Sequence, residues 1–97
     1  MAARHDRGMK AVQARVSGRV QGVSFRWYTQ EQARSLGVAG WVRNEPDGSV
    51  LVHAEGEPEA VDALVAWCHH GPALARVTGV AVREARQTGG SGFDVRY

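Results

Sequence analysis

Residues 10–37 read "KAVQARVSGRVQGVSFRWYTQEQARSLG", and two hydrophobic periodicities meet within this stretch. Apolar and polar residues alternate over residues 10–17, which predicts a β-strand. From Phe25 onwards the apolar residues recur every three or four positions, which predicts an amphipathic helix. A loop with two glycines, residues 18–24, joins these elements, so the strand leads directly into the helix.

The predicted helix is bounded by residue types suited to its ends. Ser24 is a preferred N-cap residue, and Gly37 can adopt the left-handed conformation that commonly follows the last helical turn. We therefore predict a helix over residues 24–36. The positions expected to share its buried face are Phe25, Tyr28, Gln32 or Ala33, and Leu36.

A hairpin and a second helix are predicted next. Two strand-like runs, residues 38–44 and 49–56, flank the turn "EPDG". In this turn proline presets φ, aspartate can bond the nearby backbone, and glycine accepts a positive φ. Pro58 then suits the first turn of a helix that Gly71 and Pro72 end. The apolar face of that helix holds Val61, Leu64, Val65 and Cys68.

Two further strands complete the predicted order, over residues 76–85 and 93–97, with the glycine-rich loop "TGGSG" between them. The order β-α-β-β-α-β predicts an α+β fold, the ferredoxin-like sandwich. We expect an antiparallel sheet with two helices on one face, plus a short C-terminal strand. The core is expected to contain the strand valines with Phe25, Leu36, Val61, Leu64 and Val65.

The length of 97 residues suits one domain, which we place at residues 10–97. Residues 1–9 are polar and basic, and we interpret them as a flexible tail, with Met9 as an alternative start. They lack the apolar segment of a secretory signal, and no apolar run reaches the ~20 residues that span a membrane. One cysteine cannot form an internal disulfide. These features predict a cytoplasmic protein that does not act at a membrane.

Charge is unevenly distributed, although the net charge is only +2. Residues 7–30 contain five Lys or Arg and no acid, whereas residues 44–75 contain six acids and no Lys or Arg. A small net charge with one local positive cluster favours a small anionic ligand over a nucleic acid.

The 18–24 loop lies in this positive cluster and has features of an anion site. Between a strand and a helix, backbone N–H groups can converge on one point, and the helix N-terminus adds partial positive charge. Gly18 and Gly22 permit the required φ values, and Arg26 could supply a bidentate guanidinium. The same spacing also fits a simple tight turn with Arg26 in solvent, so the residues alone leave both interpretations open.

The other polar candidates are less specific. Asn44 ends the second strand, where it could either bond the following turn or orient a water molecule near the loop. We expect Cys68 to be a core residue, because no neighbouring base or cation suggests a thiolate. His53 is expected to be exposed or half-buried, and no Cys or His spacing typical of zinc appears. The tryptophans expected to serve packing are Trp27, Trp41 and Trp67.

Residues 18–50, "GRVQGVSFRWYTQEQARSLGVAGWVRNEPDGSV", resemble the signature region of the acylphosphatase family. The resemblance is specific because it combines G-R-V-Q-G-V-x-F-R with G-W-V-x-N at a fixed separation, and it extends over nearly everything after Met9. It implies a ferredoxin-like domain that hydrolyses the carboxyl-phosphate bond of small-molecule acyl phosphates. The resemblance further implies that neither metal nor cofactor is needed. We expect a monomer.

The resemblance also assigns roles to individual positions. Arg26 matches the family's phosphate-binding arginine, and Asn44 matches its water-orienting asparagine. The loop positions that match its phosphate cradle are Gly18, Arg19, Val20, Gln21, Gly22, Val23 and Ser24. Ser24 stands where many members carry a bulky aromatic residue, and Glu45 where a small hydroxyl residue is frequent. These two departures bear on rate and substrate preference.

Two alternatives share parts of the pattern. A non-catalytic acylphosphatase-like domain, of the kind fused to larger maturation enzymes, would carry the same signature, although the free-standing length argues against it. An RNA-recognition domain has the same element order, but its binding motif lies on the third strand with exposed aromatic residues. Here the third strand, residues 49–56, has no Phe, Trp or Tyr.

Overall fold

The computed structural model of this chain describes residues 8–97. Its elements are β1 (Lys10–Arg19), α1 (Phe25–Leu36), β2 (Ala39–Asn44), β3 (Val50–Gly56), α2 (Pro58–Cys68), β4 (Arg76–Glu84) and β5 (Phe93–Arg96). The predicted order of elements is therefore confirmed. The tail predicted over residues 1–9 lies, up to residue 7, outside the described residues.

The five strands form one mixed sheet in the order β4-β1-β3-β2-β5. The first four pair antiparallel as predicted, whereas β5 pairs in parallel with β2. The parallel pairing of β5 with β2 follows from the direction of β4. Because β4 runs opposite to β1 and β2, the chain leaves β4 at the far end of the sheet and returns along β2 in the same direction.

Both helices cover the same face of this sheet, which confirms the predicted sandwich. α1 packs on β2 and β5, α2 packs on β1 and β3, and the two helices contact each other. The buried core between the layers includes Val12, Val16, Phe25, Val42, Val52, Val61, Leu64 and Phe93, with Leu36 and Val65 packed against it. Burial of these apolar side chains is the main stabilising contribution to the fold.

The buried stripe of α1 differs from the predicted one. Phe25, Thr29 and Ala33 are buried at intervals of four residues, whereas Tyr28 is 44% exposed. Thr29 tolerates burial because its hydroxyl donates a hydrogen bond to the carbonyl oxygen of Phe25 at 2.8 Å. The expected packing role of Trp27 is also wrong, since this residue lies beside Tyr28 and is 55% exposed.

The predicted cap at the N-terminus of α1 is wrong, whereas the predicted end at its C-terminus is correct. Ser24 stands at the N-cap position, but its side chain makes no capping hydrogen bond, and its backbone is left-handed at φ 63°, ψ 26°. A capping serine needs an extended backbone to aim its hydroxyl at the first turn. Gly37 ends the helix as predicted, with φ 72° and its N–H directed to the carbonyl oxygen of Arg34.

The turn of the β2–β3 hairpin is closed as predicted. Glu45 N–H donates to the carbonyl oxygen of Ser49 at 2.8 Å, and Gly48 has φ 94°. Asp47 accepts hydrogen bonds from the backbone N–H of Ser49 at 2.9 Å and from its hydroxyl at 2.6 Å. Aspartate and glycine therefore supply the turn chemistry that the sequence indicates.

The sheet face opposite the helices contains a buried polar pair that the sequence analysis missed. His53 is 3% exposed, and its Nε2 lies 2.6 Å from Glu55 Oε2, so the expectation of an exposed or half-buried histidine is wrong. The His53 ring stacks on Trp41, with centroids 5.5 Å apart. Glu55 also accepts hydrogen bonds from Thr88 and Gly89, which holds the β4–β5 loop against the sheet.

Candidate active site

The carboxyl ends of three strands meet at one edge of the sheet. β1, β2 and β5 run in the same direction, so the 18–24 loop, Asn44 and the C-terminal residues all lie at this edge. The N-terminus of α1 opens there as well, because the 18–24 loop leads directly into Phe25. The topology therefore gathers residues that are far apart in the sequence.

The segment 18–24 has three residues with positive φ: Gly18 at 120°, Gly22 at 76° and Ser24 at 63°. Gly18 and Arg19 still belong to β1, so the strand extends two residues beyond its predicted end. Left-handed backbone next to right-handed backbone can turn N–H groups towards a common point, and positive φ at Gly22 and Ser24 is compatible with such an anion nest. Gly18 is additionally required by close packing. A Cβ there would lie 2.1 Å from the carbonyl oxygen of Arg76 on β4.

A cavity of about 450 Å³ brings part of the predicted site together. Its lining includes Gly22 and Ser24 of the loop, Arg26 of α1 and Asn44 of β2. Val20 lines it too, although its side chain is buried in the core. Four other predicted loop residues do not line this cavity: Gly18, Arg19, Gln21 and Val23.

Arg26 is held by the C-terminal strand, which sequence reasoning did not connect with the site. Its Nη1 donates a hydrogen bond to the carbonyl oxygen of Arg96 at 3.2 Å. Its guanidinium also lies over the Tyr97 ring, 4.6 Å from the centroid. The side chain is thus held against the C-terminal residues beside the cavity and does not extend freely into solvent. No local signal in the sequence reports this contact, since the partners are 70 residues apart.

Gln21 links the loop to the β2–β3 turn. Its Nε2 donates to the carbonyl oxygens of Glu45 and Ser49, at 2.8 and 2.9 Å. These bonds fix the distance between the 18–24 loop and the residue that precedes the turn, Asn44. Gln21 is therefore a positioning residue, whose side chain faces the hairpin.

The Asn44 side chain does not cap the β2–β3 turn. The hydrogen bonds that close the turn are made by the backbone N–H groups of Glu45 and Gly48, by Asp47 and by Gln21. Within residues 8–97 the Asn44 side chain makes no hydrogen bond, and it lines the same cavity as Arg26. Its carboxamide is therefore available to a water molecule or a ligand in that cavity.

Comparison with known proteins identifies the family of this chain. The acylphosphatase family model matches residues 12–95. This chain belongs to the acylphosphatase family. An acylphosphatase from Nocardioides sp. is 59% identical over 86 residues, which cover 89% of this chain and 87% of that protein.

Two solved structures of acylphosphatases share the fold over almost their whole length. The acylphosphatase from Coxiella burnetii superposes with a TM-score of 0.90 and 35% identity, covering 94% of this chain and 96% of that one. The acylphosphatase from Bacillus subtilis gives a TM-score of 0.86 and 37% identity, covering 92% and 99%.

Glu45, a departure from the acylphosphatase pattern, places a carboxylate next to Asn44. This carboxylate is paired: Arg43 Nε lies 2.7 Å from Oε2, and Arg15 Nη2 lies 3.7 Å from Oε1. Glu45 does not line the cavity that contains Asn44 and Arg26. The two arginines therefore offset a negative charge that would otherwise oppose anion binding in the neighbouring cavity.

The remaining candidates do not join this site. Cys68 is buried, and burial raises the pKa of its thiol to about 12, as expected for a core residue. In residues 8–97, no group of three or more His, Cys, Asp or Glu side chains is arranged to hold a metal ion. No helix in that range is long and apolar enough to cross a membrane.

Proposed function

We propose that this chain hydrolyses acyl phosphates to a carboxylate and inorganic phosphate, with Arg26 and Asn44 as its catalytic residues. The observation that carries the proposal is the meeting of Arg26, Asn44 and the positive-φ loop in one cavity. The family assignment agrees with this activity.

Substrate binding relies on backbone and guanidinium donors. The phosphoryl oxygens accept hydrogen bonds from N–H groups of the loop, with Gly18, Arg19, Val20, Gln21, Gly22, Val23 and Ser24 as its members. The N-terminus of α1 adds partial positive charge, and Arg26 provides the planar, two-pronged donor that phosphate geometry favours. Together these groups neutralise the charge that the transferred phosphoryl group carries in the transition state.

Asn44 positions the nucleophile. Its carboxamide holds a water molecule in line with the bond that breaks, and the water oxygen attacks phosphorus. The P–O bond to the acyl group then breaks, and the carboxylate leaves with the electron pair. The proton of the attacking water passes to a phosphoryl oxygen of the substrate, so the reaction requires no protein base. A carboxylate is a good leaving group, so it requires no strong protein acid.

The proposal also covers the catalytic domain, its oligomeric state and its location. We take residues 10–97 as the catalytic domain, acting as a cytoplasmic monomer on a small-molecule acyl phosphate. Neither nucleic acid nor a membrane takes part, and the N–H groups of the loop with Arg26 leave no step that requires a metal or cofactor.

Arg26→Lys, with Arg34→Lys as the matched control on the same helix, tests the proposal. Release of phosphate from benzoyl phosphate is measured in the presence of EDTA. We expect the wild type to turn over benzoyl phosphate. In Arg26→Lys kcat/KM should fall by about 10² or more, because an ammonium cannot replace the guanidinium fork. Arg34→Lys should change kcat/KM little. Wild-type activity in Arg26→Lys would remove this residue from the site. Absence of turnover in the wild type would favour the non-catalytic accessory domain.

A further inference from the structure

A second cavity, of about 530 Å³, adjoins the candidate active site. It is lined by Arg19, Gly22 and Val23 from the loop region and by residues 73–76 ahead of and at the start of β4. Gly22 lines both cavities, so the two meet at this residue. Space beside Gly22 is open, because a Cβ built on it would meet no atom within 4 Å.

Arg19 and Arg76 face each other in this second cavity. They are directly paired in the β1–β4 register, and both are exposed. Like charges opposite each other on neighbouring antiparallel strands are destabilising. In residues 8–97 neither arginine has an ion pair or a side-chain hydrogen bond, in contrast to Arg15 and Arg43, which both contact Glu45.

The surrounding sequence offers no acid to offset this pair. Residues 7–30 and residues 63–83 contain no Asp or Glu, and these ranges include every residue that lines the second cavity. The two guanidinium groups therefore create a positive field next to the loop that is not neutralised by the residues around it. Such a field attracts a negatively charged group.

The position of the pair relative to Asn44 indicates which group it would meet. At this edge of the sheet β1 lies between β4 and the hairpin that carries Asn44. In-line displacement puts the attacking water and the leaving group on opposite sides of phosphorus. If Asn44 holds the water, the acyl group leaves on the β4 side, where Arg19 and Arg76 lie.

We propose that Arg19 and Arg76 form a second anion subsite that binds a carboxylate or phosphate carried by the acyl part of the substrate. The inference rests on the proposed function, and it predicts that acyl phosphates with a second negative group are preferred over those without one. Exposed guanidinium groups at this subsite contribute through charge and hydrogen bonding to the distal anion.

The test compares succinyl phosphate with butyryl phosphate, which has the same chain length but a methyl group in place of the distal carboxylate. The variants are Arg76→Gln and, as matched control on the same strand, Arg83→Gln. We expect the wild type to favour succinyl phosphate in kcat/KM. In Arg76→Gln this preference should fall about five- to tenfold, mainly through KM, because one exposed charged contact is lost. In Arg83→Gln the preference should persist.

Two outcomes would overturn the inference: an unchanged preference in Arg76→Gln, or an equal loss for both substrates, which would mean that Arg76 acts only on the transferred phosphate. Calorimetry with 3-phosphonopropionate and propylphosphonate separates this inference from the proposed function. Tighter binding of the carboxylate-bearing phosphonate that depends on Arg76 supports the subsite even in a protein without turnover. Equal binding of the two phosphonates contradicts it.

Discussion

At the scale of single residues, some side chains of the candidate site carry positive charge and others hold neighbouring groups in place. Arg26 brings a guanidinium held by the Arg96 carbonyl oxygen and the Tyr97 ring. Gln21 fixes the loop to the hairpin turn through two hydrogen bonds. Asn44 has a carboxamide with no hydrogen bond inside residues 8–97 and an open cavity beside it. Each role follows from contacts, so each can be tested by one substitution.

Asn44→Ala is predicted to affect turnover and to leave stability intact. If the carboxamide holds the attacking water, kcat should fall by roughly 10², a positioning loss of about 3 kcal/mol, with little change in KM. A residue that caps the turn would instead cost about 1 kcal/mol of folding free energy and leave kcat nearly unchanged. Steady-state kinetics and thermal unfolding of one purified variant separate the two roles, and a stable, fully active variant would falsify the catalytic assignment.

At the scale of elements, the decisive feature is a strand-to-helix loop that enters α1 without a side-chain cap. Gly18 and Gly22 adopt positive φ at no steric cost, whereas Ser24 at φ 63° is a non-glycine residue in the left-handed region. Such conformations are found at binding sites because the surrounding structure maintains them. In the proposed function, this local cost in stability maintains the conformation of the loop that binds phosphate.

Ser24→Gly is predicted to stabilise the protein, and Ser24→Ala to be nearly neutral. Glycine relieves the left-handed backbone, which costs a Cβ-bearing residue about 1 kcal/mol, partly offset by the greater entropy of the unfolded chain. Alanine retains the Cβ and removes a hydroxyl that makes no capping bond. Chemical denaturation of the three proteins gives the free energies of unfolding. A loss of about 1 kcal/mol in Ser24→Ala would show instead that the hydroxyl caps α1 in solution.

At the scale of the whole molecule, the C-terminal strand ties the open face of the sheet to the candidate site. Glu55 holds the β4–β5 loop through Thr88 and Gly89, and β5 then runs along β2 to deliver Arg96 and Tyr97 to Arg26. Burial raises the pKa of Glu55, but hydrogen bonds from Thr88, His53 and Gly89 outweigh it and lower that pKa to about 2. The carboxylate is therefore favoured in the folded protein.

The low pKa of Glu55 predicts a loss of stability in acid. Because the folded pKa of about 2 lies below the ordinary value of 4.5, the stabilisation is complete above pH 4.5 and is lost as the pH falls towards 2. Its size is up to about 3 kcal/mol. Denaturation curves between pH 7 and 2 should therefore show a smaller acid-dependent loss in Glu55→Gln, which is also less stable at pH 7. Glu31→Gln, at an exposed position of α1, is the control. An unchanged pH profile in Glu55→Gln would contradict the prediction.

The sequence by itself determined the order of the elements, the hairpin and the glycine-bearing loop before α1. These features depend on periodicity and turn chemistry within a few residues, which a linear pattern records. The loop signature and Asn44 were visible for the same reason, because each belongs to a short motif.

Only the tertiary structure decided which polar groups meet. β5 could have paired at either edge of the sheet, and its place beside β2 brings Arg96 to Arg26, 70 residues away along the chain. The partners of Gln21 and the burial of His53 with Glu55 likewise depend on strand neighbours. A side-chain hydrogen bond requires its donor and acceptor atoms to lie within about 3 Å of each other. The packing of the sheet sets that distance, so a local sequence pattern cannot predict it.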